Sequence, residues 1–489
     1  MSGQIIIIGA GVAGLSAGIY ARRCGFDVTI LEQHTIPGGM CTSWRRKGYL
    51  FEGGIHWLTG SSPKTQLYEL WRDVGALGDN IKVRYDEPFR SMEWNGKTVC
   101  LYRDIQKLQK HFDEVSPEDA AATQRLVSDL RALSKIEMPI MDIKGVKAAH
   151  PRKMSLGALV KMLPAFPKMG KLGKLSAGEY AANFKHPALR LLLNSVVTEE
   201  YGATSLLFTM RTLAEGDGGY PEGGSLAMTK RMANTFTGLG GKLLLGTKAD
   251  KVVSKDGAAV GINVGGELLT ADAVIVTQET LAAMGLFDTP PKDEWLAKLK
   301  RDTKPAVCCF VGVGIRAELP ETPGFELSNP IQCGGFFYPI LAMNNYSDYP
   351  GYAPDGCTTL TTAFMGDSYD YWKATRDEGR YEAEKQAVAD QVSRAICQKY
   401  PQAEGKIEVI DVATPLTYER YTGASRGSWM AVMGKGESPS SACPCTLEDT
   451  KGVYFAGHRT MMPGGLPVAL MTGRNAAQMV CRQFDVIFR

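Results

Sequence analysis

Three glycines and one carboxylate near the start of the chain have the types and spacing that hold phosphates and a ribose. Gly9, Gly11 and Gly14 directly follow the run Ile5-Ile6-Ile7-Ile8. In this G-x-G-x-x-G order the first glycine permits a tight turn and the second lets backbone approach a pyrophosphate. The third lets a helix pack close to the strand. A helix starting there offers free N–H groups and a positive dipole end to phosphates. A second apolar run, Asp27 to Leu31, ends at Glu32, about 20 residues on, where a carboxylate can accept hydrogen bonds from ribose hydroxyls. Four consecutive isoleucines make a strand apolar on both faces, as a parallel strand covered by helices would be. Strand, glycines, helix, strand and acid in this order predict a Rossmann-type unit binding an adenine dinucleotide. Gly9, Gly11, Ala13, Gly14 and Glu32 are its expected contacts.

A second glycine pair, Gly38-Gly39, lies six and seven residues past Glu32 and is followed by Met40. This resembles the E-x(5)-G-G stretch of the large flavoprotein oxidoreductase superfamily that includes amine oxidases and phytoene desaturases. The resemblance implies FAD rather than NAD and adds Gln33, Gly38, Gly39 and Met40 to the site. Those proteins usually carry Arg where Met40 stands. At the far end, Gly452 to Gly457 reads as a short strand reaching a glycine, and His458 follows. Gly465, Leu466 and Pro467 then precede a helical pattern from Val468. Such a helix N-terminus can aim N–H groups at the flavin N1/C2=O edge, where negative charge builds on reduction. Many relatives place Asp at the position of His458, so the ribityl contact is expected to be made differently or by backbone. Gly54, Ile55, Val252 and Gly457 complete the expected cofactor set.

Composition sets bounds. The 489 residues leave room for two or three domains. A hydrophobic content of 44% with 22% charged residues does not indicate disorder, and a net charge of +3 gives no nucleic-acid footprint. The eleven cysteines show no paired zinc spacing, and Cys443-Pro-Cys445 is one residue too close for a C-x-x-C pair. Reduced thiols in the cytoplasm are therefore expected. The N-terminal apolar run lacks a basic leader, and no stretch approaches the roughly 18 to 20 apolar residues of a membrane span.

The organisation is interleaved. Residues 1–95, 215–280 and 440–489 are expected to form a discontinuous FAD-binding domain. Residues 96–214 form a helical region contacting substrate or membrane, and 281–439 a substrate-binding α+β domain. Asn95-Gly96 marks a hairpin, and the apolar run Ala273 to Thr277 is expected to return to the cofactor sheet.

Three blocks give the resemblance its focus: Tyr220-Pro-Glu-Gly-Gly224, Ala413-Thr-Pro-Leu-Thr-Tyr-Glu-Arg-Tyr-Thr-Gly423 and Met462-Pro-Gly-Gly-Leu-Pro467. They are similar to the phytoene desaturase family, which also contains carotenoid isomerases and retinol saturases. The resemblance spans Ile5 to Phe484. It implies noncovalent FAD and action on double bonds of long isoprenoid chains by desaturation, saturation or isomerisation. It also makes His56, Glu419 and Arg420 the catalytic candidates, His56 because its loop should pass near the flavin. Tyr338 and Tyr346 are candidates for a tunnel wall. An amine-oxidase-like enzyme acting on a C–N bond and a non-catalytic lipid-binding flavoprotein are the alternatives. Gly312-Val-Gly314 lacks a third glycine and a following ribose acid, so electrons are expected to exchange with a quinone, oxygen or a partner protein rather than a dedicated nicotinamide domain.

The segment Ile143 to Gly178 carries eight cations and no acid: Lys144, Lys147, Arg152, Lys153, Lys161, Lys168, Lys171 and Lys174. Leu156, Leu159, Val160, Met162, Leu163, Phe166, Met169, Leu172 and Leu175 are interleaved with them. It is expected to lie on an anionic membrane, each lysine contributing about 1 kcal/mol near the surface. That placement makes the protein peripheral on the inner face of a membrane.

Overall fold

The computed structural model describes residues 3–134, 136, 140–153, 157, 160, 162–320, 324–327, 329–432, 443–461 and 464–489. Its first sheet is parallel throughout. The order is Val453–Phe455, Ala273–Val276, Gln4–Ile8, Asp27–Leu31 and Lys242–Leu244. Ile5 to Ile8 pair with Ala273 to Val276 on one side and Val28 to Leu31 on the other, and their side chains are buried on both faces of the sheet, so that the run has no polar face. Helices Val12–Arg23 and Gly465–Gln483 pack together. A β-carbon at Gly473 would lie 2.2 Å from the Ala13 carbonyl oxygen, so glycine sets that close approach and joins the two chain ends.

The second sheet has seven strands in the order Ile407–Ala413, Cys308–Ile315, Thr358–Met365, Leu341–Asn345, Gly324–Leu327, Arg90–Trp94 and Lys97–Leu101. All neighbours are antiparallel except Gly324–Leu327 with Arg90–Trp94. The Asn95-Gly96 hairpin forms, with φ of 49° and 75° at its two turn residues. Both of its strands belong to this sheet, so the boundary drawn at residue 95 falls inside one hairpin. Register, not local pattern, assigns Arg90–Trp94 to the second sheet. Gly312 and Gly314 lie within the strand Cys308–Ile315, and β-carbons there would lie 2.4 and 2.5 Å from the rings of Phe51 and Tyr49. These glycines admit aromatic rings; they do not begin a nucleotide turn.

A separate helical core lies between residues 105 and 214, built on Leu108, Phe112, Leu130, Phe184, Leu192 and Leu206. Helix Phe166–Leu172 joins it through buried Leu172, while Val160, Leu163 and Phe166 are exposed. No described helix is long and apolar enough to cross a membrane.

Candidate active site

One continuous cavity of about 3080 Å³ runs along the first sheet's glycine turns, past His56, to the face of the second sheet and the helical region. A single-ligand pocket is typically ~300–1,000 Å³, so this space holds more than one molecule.

The dinucleotide half is built from backbone. Helix Val12–Arg23 starts after Gly11 with no side-chain cap, and its first internal bond runs from Leu15 N–H to the Gly11 carbonyl (2.9 Å). The N–H groups before Leu15 have no helical acceptor, and Val12 and Ala13 line the cavity. Gly11 meets Gly38 as a bridge, and Gly38 N–H donates to the Ala10 carbonyl (2.9 Å). The two glycine turns thus form one cradle. Gly14 lies off the cavity, and a β-carbon there would sit 1.9 Å from the Gly9 carbonyl oxygen; it serves helix–strand contact. Glu32 is buried, with Oε2 accepting from Ala10 N–H and Oε1 from His34 N–H, both at 2.8 Å. These bonds hold the carboxylate on the cavity wall beside Gln33.

The other chain end supplies the facing wall. Helix Gly465–Gln483 also begins without a side-chain cap, and Gly465, Leu466 and Pro467 line the cavity with Gly457 and His458. His458 Nδ1 is buried without a hydrogen-bond partner among the described residues. Burial first, then the Arg459 charge, pushes the His458 pKa down to about 4 against the pull of Glu279. The imidazole is therefore neutral, with Nδ1 left without a hydrogen-bond partner among the described residues. Beside it, Arg459 and Glu279 form a buried ion pair, 3% and 4% exposed in their side chains. Glu279 also accepts from the N–H groups of Leu281 (3.0 Å), Ala282 (3.1 Å) and Ser425 (3.3 Å). This pair ties the loops that follow two sheet strands to the segment beyond the Thr-Pro-Leu-Thr-Tyr block.

Free helix N-termini at two points, a side-chain-free cradle and an orphaned imidazole nitrogen fit FAD. Glu32 would hold the adenosine ribose, the Gly11–Gly38 cradle the pyrophosphate, and the Gly465 end the flavin. Besides Gly14, two expected contacts are not on the cavity wall. Val252 is paired with Ile262 in a separate three-stranded sheet and points into the core, and Thr247 to Asp250 reach the cavity instead. Ile55 is fully buried, and its N–H is held by Glu52 and Ser225. Met40 does line the cavity.

Glu52 presents the His56 loop. This buried carboxylate accepts from Gly54 N–H (2.9 Å), Ile55 N–H (3.1 Å), Ser225 N–H (2.9 Å) and Tyr220 Oη–H (2.7 Å). Burial raises its pKa, and the Ser225 and Tyr220 bonds oppose that. A β-carbon at Gly224 would lie 2.1 Å from Glu52 Oε2, so the Tyr-Pro-Glu-Gly-Gly block makes room for this carboxylate. The His56 side chain is exposed, but to the interior cavity rather than to the outer surface. Burial first, then the Arg90 guanidinium, pushes its pKa down to about 4.

Glu419 and Arg420 are not brought to His56. They lie on helix Pro415–Thr422, whose Tyr421 carbonyl accepts from the Gln33 side chain (3.0 Å) and whose Tyr421 ring meets His34 at 5.1 Å. This block closes the adenosine end of the site. Glu419 accepts from Tyr369 Oη–H at 2.9 and 3.1 Å, and the Arg420 guanidinium lies over the Tyr421 ring. Tyr338 lines the cavity, whereas Tyr346 stacks on Tyr352 at 4.7 Å behind Glu52. Arg90, on the cavity wall, had no local sequence signal. Glu326, buried near it, had only a weak one: an acid inside the apolar strand Gly324–Leu327.

The fold and cofactor cradle define a Rossmann-type FAD-dependent oxidoreductase. Residues 12–481 match the model of the flavin-containing amine oxidoreductases, and the chain belongs to that family. It is 21% identical to prolycopene isomerase 1 of an Oncidium hybrid cultivar over 98% of this chain and 84% of that one. The match to all-trans-retinol 13,14-reductase of Danio rerio is also 21%, over 86% and 76%. That to the neurosporene-forming phytoene desaturase of Cereibacter sphaeroides is 25%, over 60% of this chain and 56% of that one. The chain thus spans little more than half of that desaturase. Among solved structures, an oxidoreductase from Methanosarcina mazei (TM-score 0.61, 16% identity, 98% and 99% covered) shares the fold. So does cyclohexylamine oxidase from Brevibacterium oxydans (0.59, 15%, 99% and 100%).

Proposed function

We propose that this protein rearranges, removes or adds hydrogen at carbon–carbon double bonds of a long apolar isoprenoid chain bound beside FAD. The observation that carries the reading is the single cavity, whose wall changes from glycine backbone to Met162, Met169, Phe208, Phe336, Phe337 and Ile340. FAD, when bound, supplies an acceptor or donor of two electrons. The chain's own residues align the substrate and exclude water. With a pKa near 4, His56 is about one part in a thousand charged at pH 7. It acts as a neutral hydrogen-bonding group on the cavity wall, fixed there by Glu52. The curated relatives named above are an isomerase, a reductase and a desaturase of polyene substrates, which supports this substrate class; amine oxidases share the fold at lower identity. Electrons exchange with a quinone, oxygen or a partner protein.

Access from a membrane belongs to the same proposal. Met162, Met169 and Lys174 line the cavity, while Val160, Leu163, Phe166 and Met141 are exposed nearby in sequence. Three of the eight cations are engaged internally: Lys147 with Asp485, Arg152 with Glu69, and Lys168 with buried Asp129. Lys171 and Lys174 are exposed and have no described carboxylate partner, and Leu156, Leu159 and Lys161 lie outside the described residues. Apolar side chains beside free lysines suit the headgroup boundary of an anionic bilayer on the cytoplasmic side. Mass spectrometry of molecules extracted from the purified protein tests the substrate class. A polyene or other isoprenoid is expected, and reproducible recovery of an amine instead would remove the reading.

A further inference from the structure

Arg90 is 8% exposed and lines the cavity, yet its Nε and Nη1 are buried without a hydrogen-bond partner among the described residues. Gly324 lies beside it, where a β-carbon would be 3.2 Å from Nη1, so absence of a side chain leaves the guanidinium its space. The nearest acid by register is Glu326, opposite Met92 in the parallel pair. It does not form an ion pair with Arg90, and its carboxyl is buried beside the Ser195 hydroxyl, which donates to the Leu192 carbonyl (2.8 Å) instead. Burial drives the Glu326 pKa up to about 7, against the Ser195 hydroxyl and the Arg90 charge. A guanidinium with two unsatisfied donors is costly to bury. His56, also on the wall, feels the Arg90 charge, and Arg90 forms no ion pair with a described carboxylate.

We propose that Arg90 is the recognition point for an oxygen-bearing end of the substrate chain, a carboxylate matching it best, and that this contact sets which double bond lies at the flavin. Nε and Nη1 are closed off from the cavity, so a carboxylate meets the guanidinium at its cavity-facing edge, where a charged acceptor is held more strongly than a neutral hydroxyl. The apolar wall beyond takes the hydrocarbon. This deepens the proposal of an isoprenoid substrate and rests on it.

The test titrates the FAD-loaded protein with geranylgeranoic acid, geranylgeraniol and the corresponding hydrocarbon, following perturbation of the flavin absorbance. Wild type is expected to bind the acid at least tenfold more tightly than the hydrocarbon, with the alcohol between. Arg90→Gln should abolish that order while keeping FAD and hydrocarbon affinity, and Arg90→Lys should restore part of it. The double variant Arg90→Met with Glu326→Leu removes both buried charges and guards against a folding defect; it should bind all three alike. Hydrocarbon binding with no preference for the acid in wild type would overturn the role of Arg90 alone, as would a preference that survives Arg90→Gln. Loss of FAD from Arg90→Gln would place the guanidinium on the cofactor and overturn it too. If none of the three binds, the isoprenoid reading itself fails and takes this proposal with it.

Discussion

The two halves of the cavity recognise their ligands by opposite means. The cofactor half offers backbone: two uncapped helix starts, a Gly11–Gly38 cradle and a Glu32 carboxylate already held by Ala10 and His34 N–H groups. The substrate half offers apolar side chains, interrupted by the Arg90 guanidinium, two of whose nitrogens have no hydrogen-bond partner among the described residues. Backbone recognition is fixed when the sheet forms and tolerates no added atoms. Side-chain recognition depends on which residues distant strands bring together and can be retuned one residue at a time. The first half therefore defines the class of enzyme, and the second defines its substrate.

The contrast is broken most directly at Gly11. A β-carbon there would meet nothing nearer than the Gly38 carbonyl at 3.8 Å, and φ is −70°. Gly11→Val should fold with an unchanged circular dichroism spectrum but lose nearly all of its FAD, measured as flavin released on denaturation. Retention of stoichiometric FAD would show that the cradle is not the pyrophosphate site. The Arg459–Glu279 pair is the cofactor half's buried charge, and here the two ions meet directly, although Arg459 Nε has no hydrogen-bond partner among the described residues. Arg459→Met leaves Glu279 unpaired and should cost about 3–5 kcal/mol of stability in denaturant unfolding. A loss below about 1 kcal/mol would show that the pair does not hold the two loops.

The halves also differ in how they titrate. His56 and His458 are held near 4, below the ordinary 6.5. Their stabilising contributions are full above pH 6.5 and are lost as pH falls towards 4, because the unfolded chain then binds more protons. Glu326, raised to about 7 from 4.5, acts in the opposite sense: its contribution is full below 4.5 and lost as pH rises through 7. Between pH 4.5 and 6.5 two histidines oppose one carboxyl, so these groups make stability rise with pH in that window. His458→Asn should flatten the rise and Glu326→Gln should steepen it, read from thermal midpoints at fixed salt. No change in slope in either variant would show that these side chains are not withheld from water.

How much of this was legible in the sequence follows the same division. The Ile5–Ile8 run, the glycine spacing and Glu32 act over fewer than thirty residues, and they form the parallel strand, the turn into helix Val12–Arg23 and a carboxylate on the cavity wall. Asn95-Gly96 likewise makes its turn. The boundary at residue 95 misses because strand Arg90–Trp94 is assigned by pairing with Gly324–Leu327, far along the chain. Ile55 is misplaced because a one-residue difference in facing decides between wall and core, and Val252 because the chain leaves the cavity after Asp250. Glu419 and Arg420 are family-specific in sequence, yet their helix closes over Gln33 and His34 rather than over His56. Arg90 lies in an ordinary amphipathic strand, and only the assembled cavity shows its donors unmet.

The smallest expected effect concerns the outer rim. Replacing Lys171 and Lys174 with Gln removes two exposed charges without disturbing the Lys168–Asp129 pair. Cosedimentation with anionic liposomes should weaken up to roughly thirtyfold at low salt, at about 1 kcal/mol per lysine, and wild-type binding should fall as salt is added. Unchanged sedimentation would mean that these lysines are only a solvated face.

FAD and a long apolar chain are expected to share one cavity and to react there. The measurement that tests it most directly is anaerobic incubation of the FAD-loaded protein with a polyene in liposomes, alongside a parallel incubation with a primary amine. Products are separated by chromatography and the flavin spectrum is followed in both. The account predicts a polyene changed in double-bond number or geometry and no oxidation of the amine. Flavin bleaching with stoichiometric amine oxidation, and polyene recovered unaltered, would contradict it.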